Sequence, residues 1–439
     1  MSLTEAARRR NPLPAGTTAV GIGLAVTGVT SYGYILLAKR TGPEVFGQFQ
    51  VLWAMVFFIG PGFFVAWEQE IGRHLAARRA LGLAGGSVIR RAAALGAGLA
   101  GALLVVCLVL SPLLIDRLFR GDATLFAALL LAIGGYLVAN VVEGSMSGSD
   151  QFGRYALYLG GESTIRMLSA VVCAVVGVAT AGPYGLALGY APYLAALLVV
   201  RGQRRLLEPG PPIAWRDLYR SLVALVAGSG LAQLVANAAV PVVELLAVDA
   251  QKAQTGAFGA AFIVARVPLF AFQAVQAALL PRLSALAADH RFDDFRRGFV
   301  RLLLALVGIG TIGTLLAFTV GPRVLEVFFG AAFEVPAHTI GLLALGSTGF
   351  VIAMSLGQAN IALGGAPRLV VGWGLAVAVY AAVVALGSDL LLRVELGYVA
   401  ATTTAAIAHG VSLLRLFASG AHLTEGAIVE ALHDVQLEP

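Results

Sequence analysis

The sequence predicts an all-α polytopic membrane protein of about twelve transmembrane helices arranged as two pseudo-symmetric six-helix lobes. Three observations predict that class. Apolar runs about as long as a bilayer is thick recur along the 439 residues, arginines collect in alternate loops between those runs, and the second half of the chain repeats the first at a fixed offset.

Hydrophobic residues make up 59% of the chain and charged residues 12%, with a mean hydropathy of +0.86, outside what a water-soluble surface carries. A hydrocarbon core about 30 Å thick needs about 20 apolar residues per helix. That length divides the sequence into spans near 17–38, 45–67, 92–114, 123–143, 156–178, 183–200, 221–248, 256–279, 299–320, 337–360, 369–388 and 396–418. The first run is too long for a signal-peptide core and no small-residue cleavage site follows it, so it reads as a retained first helix.

Short loops rich in Lys and Arg stay on the cytoplasmic side during insertion. Arg8, Arg9 and Arg10 therefore put the N-terminus inside. Arg73, Arg78, Arg79, Arg90 and Arg91 do the same for the loop after span two, Arg201, Arg204, Arg205, Arg216 and Arg220 for the loop after span six, and Arg282, Arg291, Arg296, Arg297 and Arg301 for the loop after span eight. The intervening loops hold few cations (Lys39, Arg40, Arg117, Arg120, Lys252, Arg323, Arg393), mostly interleaved with acids. An even number of spans with both termini cytoplasmic fits throughout, which predicts a multi-pass protein of the cytoplasmic membrane, and the use of lysine only at Lys39 and Lys252 against abundant Arg, Ala, Gly and Val suggests a GC-rich bacterial genome. The net charge of +6 is this bias summed, so it calls for membrane lipid headgroups and for no nucleic acid. Cys107 and Cys173 both sit in apolar runs, which argues against a disulfide framework or thiolate metal site. Segments outside the spans reach only about twenty residues, leaving no room for a soluble catalytic domain.

Displacing the chain by 209 positions lays span two on span eight: Gly47 meets Gly256, Phe49 meets Phe258, Phe63 meets Phe272, Arg73 meets Arg282 and Ala76 meets Ala285. At 210, Pro112 meets Pro322, and Asp116 and Phe119 face Glu326 and Phe329. Six spans per half make these parallel repeats, an arrangement common in transporters that bind cargo between their halves. The predicted organisation is a six-helix lobe over 1–200, a cytoplasmic linker over 201–220 whose Pro-Gly-Pro-Pro stretch cannot be helical, a second lobe over 221–418 and a cytoplasmic tail over 419–439.

The segment Lys39-Arg40-Thr41-Gly42-Pro43-Glu44-Val45-Phe46-Gly47-Gln48-Phe49 resembles the link between helices one and two of the polysaccharide flippases of the MOP superfamily, the Wzx-like group related to MATE exporters and MurJ. Gln254-Thr255-Gly256-Ala257-Phe258, Arg266-Val267-Pro268, Leu280-Pro281-Arg282-Leu283-Ser284 and Gly321-Pro322-Arg323-Val324-Leu325, followed by Phe329-Gly330, resemble that family in the same order. Each motif is weak alone; their order and spacing on a twelve-span frame are more specific. The resemblance implies a MOP/MATE-like pair of lobes around a central cavity, alternating access, and export of a polyprenyl-pyrophosphate-linked oligosaccharide for cell-surface polysaccharide. Glycosyltransferases or a polymerase of the same pathway are its implied partners.

The residues a membrane should reject point to a site. An Arg at mid-span costs about 2.5–3.5 kcal/mol on insertion scales, so one that persists lines a cavity or is paired. Arg166 and Arg266 each lie about ten residues into a span, roughly 15 Å deep at about 1.5 Å per residue. If both face a cleft, they suit a pyrophosphate, because guanidinium binds phosphate oxygens bidentately. Arg166 also stands one helical turn after Glu162, where a salt bridge is an equal reading. Gln233, Asn237 and Glu244 form one polar stripe in span seven, with Pro241 predicted to bend it, and Gly23, Thr27, Thr30 and Tyr34 form a similar stripe in span one. Cargo contacts and interhelical hydrogen bonds are both open for Gln233 and Asn237; for the threonines, hydrogen bonding is favoured. Glu162 and Glu244 are candidate coupling or pairing acids.

Glu68 and Glu143 read as solvated carboxylates at cytoplasmic span ends, and His338 and His409 as hydrogen-bonded histidines without metal-ligand spacing. The Gly-flanked segment 148–153 has no strand before it, which excludes a nucleotide-binding loop. Phe292, Phe295 and Phe299 recur at helical spacing among charges, predicting an amphipathic surface helix over 289–301. The resemblance, the two mid-span arginines and the duplicated six-span halves favour a flippase over two alternatives, and no nucleophile–base pair, metal site or cofactor motif emerges. A MATE-like exporter of cations calls for an acidic cavity, and an oligosaccharide polymerase or ligase calls for a larger outward loop.

Overall fold

The computed structural model describes residues 16–266, 292–363 and 366–418. Among these, every regular element is helical. In chain order the helices are α1 (Thr17–Ala38), α2 (Pro43–Ile59), α3 (Val65–Ala80), α4 (Gly86–Val109), α5 (Ala123–Gly148), α6 (Phe152–Val176), α7 (Ala181–Val200), α8 (Trp215–Asn237), α9 (Ala239–Leu246) and α10 (Lys252–Ala265). They continue as α11 (Phe292–Thr319), α12 (Gly321–Phe329), α13 (Ala337–Ala362), α14 (Ala366–Leu386) and α15 (Leu390–Ala418). Among the described residues ten helices are long and apolar enough to cross a membrane, and the bent pair α8–α9, counted as one span, makes an eleventh. The span expected over 256–279 starts within α10 and runs beyond the described residues, as do Arg8, Arg9, Arg10, Pro268, Arg282, Arg291, the 280–284 motif and the tail. Large apolar side chains stand exposed along the helices, among them Val175 at 82%, Leu315 at 61% and Leu386 at 89%, a surface suited to a hydrocarbon surrounding.

Local sequence sets the boundaries and breaks. Pro43 opens α2, where its missing N–H costs nothing, and the Asp122 carboxylate caps α5 by accepting from the amides of Thr124 at 2.8 Å and Leu125 at 3.3 Å. At Gly60-Pro61-Gly62 the ladder widens into a π turn, so α2 and α3 form one 38-residue path that extends past any single bilayer crossing. Pro241 supplies no N–H to the carbonyl of Asn237 one turn before, and the chain bends by 54° there, between α8 and α9, as the sequence predicts.

Contacts divide the chain into two compact units, Met1–Gly259 with Ala331–Phe333, and Ala260–Gly330 with Glu334–Pro439. In the first, α1 packs along α6, α5 along α7 and α3 along α5. The α3–α5 crossing is made on glycines: a Cβ at Gly144 would come 2.7 Å from the Glu68 carbonyl, and one at Gly148 2.7 Å from that of Gly72. Helices α8 and α9 join this unit by lying against α2, and the Ser229 hydroxyl donates to Gly62 O at 2.6 Å. The linker is docked as well. Pro211 O accepts from Arg78 at 2.7 Å and from the Ser87 hydroxyl at 2.6 Å, and the Gly86 amide donates to Glu208 O at 3.2 Å.

In the second unit α13 packs on α11 and α15, and α14 on α15. Here the surface-helix expectation for 289–301 fails. Residues 292–301 are the first turns of α11, and Phe295 and Phe299 are buried against Leu356, Ala359, Leu363, Leu413 and Leu416. Their spacing reported a face that meets α13 and α15, not headgroups.

Candidate functional site

In the first unit Arg166, 5% exposed, projects from α6 and pairs with Glu162 at 2.8 Å. The two stand one turn apart, so the salt bridge read from their spacing is present. The pair does not use all of the guanidinium: among the described residues nothing accepts from its buried Nε. Its Cζ lies 6.0 Å from the Trp53 ring centroid, and Trp53 stacks on Phe57 at 4.7 Å, so an aromatic wall from α2 backs the cation. Trp53 and Phe57 escaped sequence reasoning because an aromatic residue in an apolar span carries no distinguishing signal.

Glu68 and Glu143 are not solvated ends. Helix α3 continues to Ala80 and α5 to Gly148, so both carboxylates lie inside helices and are half-buried. Glu68 accepts from the Tyr155 hydroxyl at 2.9 Å, and Glu143 stands within electrostatic reach of both Glu68 and Glu162. Three acids and one arginine thus share this polar stretch of the first unit.

The stripe of span seven divides at the bend. On α8, the Asn237 amide donates to the Gln233 side-chain oxygen at 2.9 Å and to its carbonyl at 3.0 Å. Past the bend, Glu244 is fully buried and takes two hydrogen bonds from Arg120, at 2.7 and 2.6 Å, and one from Lys252 at 2.9 Å. Of its two candidate roles, the geometry is that of a paired acid. Arg120 and Lys252 were visible only as stray cations in cation-poor loops. The polar stripe of α1 is spent on packing: Thr27 donates to Leu159 O on α6 at 3.1 Å, Thr30 to Val26 O at 2.7 Å, and the buried Tyr34 hydroxyl to Tyr184 O.

In the second unit Arg266 follows the last turn of α10, its Cζ 4.2 Å from the Phe262 ring centroid. His409 is buried, with Nδ1 3.2 Å from Ala353 O, and its ring meets Trp373 edge-on at 5.2 Å. The Thr339 hydroxyl donates to the buried Glu395 carboxylate at 2.7 Å, tying α13 to α15. Among the described residues no group of three or more His, Cys, Asp or Glu side chains could hold a metal.

No known family profile matches the sequence. Two Mycobacterium tuberculosis proteins, both named only as uncharacterized, are similar to it: one is 27% identical over 373 residues, 81% of each chain, and the other 26% identical over 372 residues, 82% of this chain and 83% of the relative. Among solved structures, an inward-facing multidrug resistance MATE family transporter of the MOP superfamily superposes with a TM-score of 0.67 at 12% identity, over 93% of this chain and 99% of that one. This chain has the MOP transporter fold. A second MOP-fold match, from Pyrococcus furiosus, has a TM-score of 0.65 at 14% identity over 93% of this chain and 95% of that one; it is described by a binding pocket of reverse polarity that suggests a different function. The MOP fold and the many spanning helices make the chain a multi-pass membrane protein.

Proposed function

We propose that this MOP-fold protein is a non-enzymatic flippase that moves a polyprenyl-pyrophosphate-linked oligosaccharide across the cytoplasmic membrane by alternating access. The observation that supports the reading is the Arg166 guanidinium, held by Glu162, backed by Trp53 and left with a buried Nε–H that nothing among the described residues accepts from. Buried donors are almost always satisfied, and a phosphate oxygen is the acceptor best matched to a guanidinium edge. Arg266 is the second cation of the proposal, and Asn237 and Gln233 offer neutral hydrogen bonds to phosphate or to the first sugar.

A second reading, export of an organic cation, is favoured by Glu68, Glu143 and Glu162 standing near one another. One reconstitution separates the two. Proteoliposomes are given either a fluorescent polyprenyl-pyrophosphate-linked disaccharide or ethidium. The flippase reading expects translocation of the first, loss of it in Arg266→Ala with expression and thermal stability near wild type, and partial recovery in Arg266→Lys, which keeps the charge without the planar fork. Ethidium transport without lipid flipping would replace it with the exporter reading.

A further inference from the structure

The network around Glu244 has no counterpart in the other repeat, and its geometry is unusual. Arg120 sits in the turn between α4 and α5 with φ of 50°, a left-handed conformation that costs a side-chain-bearing residue about 1 kcal/mol or more. The next residue, Gly121, also has a positive φ, of 86°, so two left-handed positions follow one another in this turn and the first of them is held by an arginine. What the arginine gains is a set of partners. Its Nε and one terminal nitrogen grip both oxygens of Glu244, which is 0% exposed. The same nitrogen donates to Lys252 O at 3.0 Å. The other donates to Glu44 O at 3.2 Å and stands 3.7 Å from the Glu44 carboxylate. Lys252 completes the shell of Glu244 with bonds of 2.9 Å to the carboxylate and 3.1 Å to the carbonyl.

These residues lie in or beside three turns that the sequence puts at one end of the bundle, away from the arginine-rich loops: α1 to α2, α4 to α5, and α9 to α10. Two belong to the first repeat and one to the second. Beside the network α2 and α10 cross in near backbone contact, a Cβ at Gly47 reaching 3.0 Å from the Gly256 amide and one at Gly256 colliding with the Pro43 carbonyl. The crossing brings the two helices together, and the ion network fastens their loops.

We infer that Arg120, Glu244 and Lys252 form a gate latch, which holds this end of the bundle closed and must part in each transport cycle. The inference rests on the transporter reading but not on the cargo. Two features fit a latch better than a static brace. Its charges lie at an end that water reaches when the loops separate, so each partner can be rehydrated on opening, whereas a wholly internal pair would be stranded. Its key residue also occupies a strained backbone position, so the closed form stores strain that opening can release.

The test reads accessibility and needs no cargo. In a chain carrying Cys107→Ala and Cys173→Ala, Val243→Cys places a thiol at a fully buried position of α9, next to Glu244. An impermeant maleimide is applied to right-side-out and to inside-out vesicles. With the latch intact, labelling is slow from both sides. Arg120→Gly removes the guanidinium while giving the turn the residue its φ favours, so folding is spared. Labelling from the latch side should rise about a hundredfold, a size in keeping with the upper range of couplings between conformational states. Glu244→Gln should raise it as well, and Arg120→Lys should fall between. Unchanged labelling in folded, monodisperse Arg120→Gly would overturn the latch and leave the proposed cargo untouched. A lowered melting temperature with unchanged labelling would also overturn it, in favour of a brace.

Discussion

The Arg166–Glu162 pair offers the most discriminating perturbation, because its two halves should respond unequally. Arg166 is 6% exposed at the side chain and Glu162 17%, with the charges 2.8 Å apart at closest approach. Two unit charges about 4 Å apart at an effective dielectric of about 20 attract by about 4 kcal/mol. Glu162→Gln removes that attraction and leaves a buried guanidinium without its ion-pair partner, a change that typically costs about 3–5 kcal/mol. In detergent this should appear as a melting temperature lowered by roughly 5 °C, as order of magnitude for a chain of this size. Adding Arg166→Gln removes the stranded charge and should restore most of that loss, since replacing both members of a buried pair is often near neutral. Flipping then separates structure from cargo binding. If the pair only braces α6, the double variant transports normally; if Arg166 holds pyrophosphate, it is stable and inactive. A Glu162→Gln variant as stable as wild type, or a double variant less stable than the single one, would refute the electrostatic reasoning itself.

Two further expectations follow from the fold. In the cysteine-free background, a thiol at Gly121 should react with an impermeant reagent added to intact cells, and one at Arg201 only after permeabilisation; equal labelling would break the predicted orientation. Phe295→Ala should cost about 3–5 kcal/mol in thermal unfolding, because Phe295 is buried against α13 and α15. Val300→Ala on the exposed side of the same helix should stay within about 0.5 kcal/mol, whereas a helix lying on the membrane surface would make the two alike.

Much of this fold was legible because a bilayer imposes its own length scale and polarity. Span positions followed from hydropathy, the bend at Ala238 from Pro241, and the Arg166–Glu162 bridge from a four-residue spacing, all short-range signals. Contacts between segments distant in sequence were not legible. Arg120 and Glu244 are 124 positions apart, and nothing local to either names the other. Hydropathy also misjudged Glu68 and Glu143, because it ends a span where charge begins, whereas the helix runs on and its neighbours cover the carboxylates. The aromatic period over 292–299 was real, and only its partner was misassigned: helix and headgroup are both places for an apolar stripe. Charge in a mid-membrane position marked the candidate site, but the aromatic wall behind Arg166 could be found only in three dimensions.

The crossing of Gly47 and Gly256 carries a consequence of its own. These two glycines correspond at the offset of 209, and they touch each other. A position that contacts its own repeat mate lies on the axis relating the repeats, as in an isologous interface. Enlarging either one alters both sides of the same contact, so drift at one copy cannot be absorbed by freedom at the other. Off the axis the two copies are independent. Where the second repeat has Glu244 the first has Ile35. Duplication thus leaves the axial contact locked in common, while a salt bridge placed to one side can be the private acquisition of a single copy.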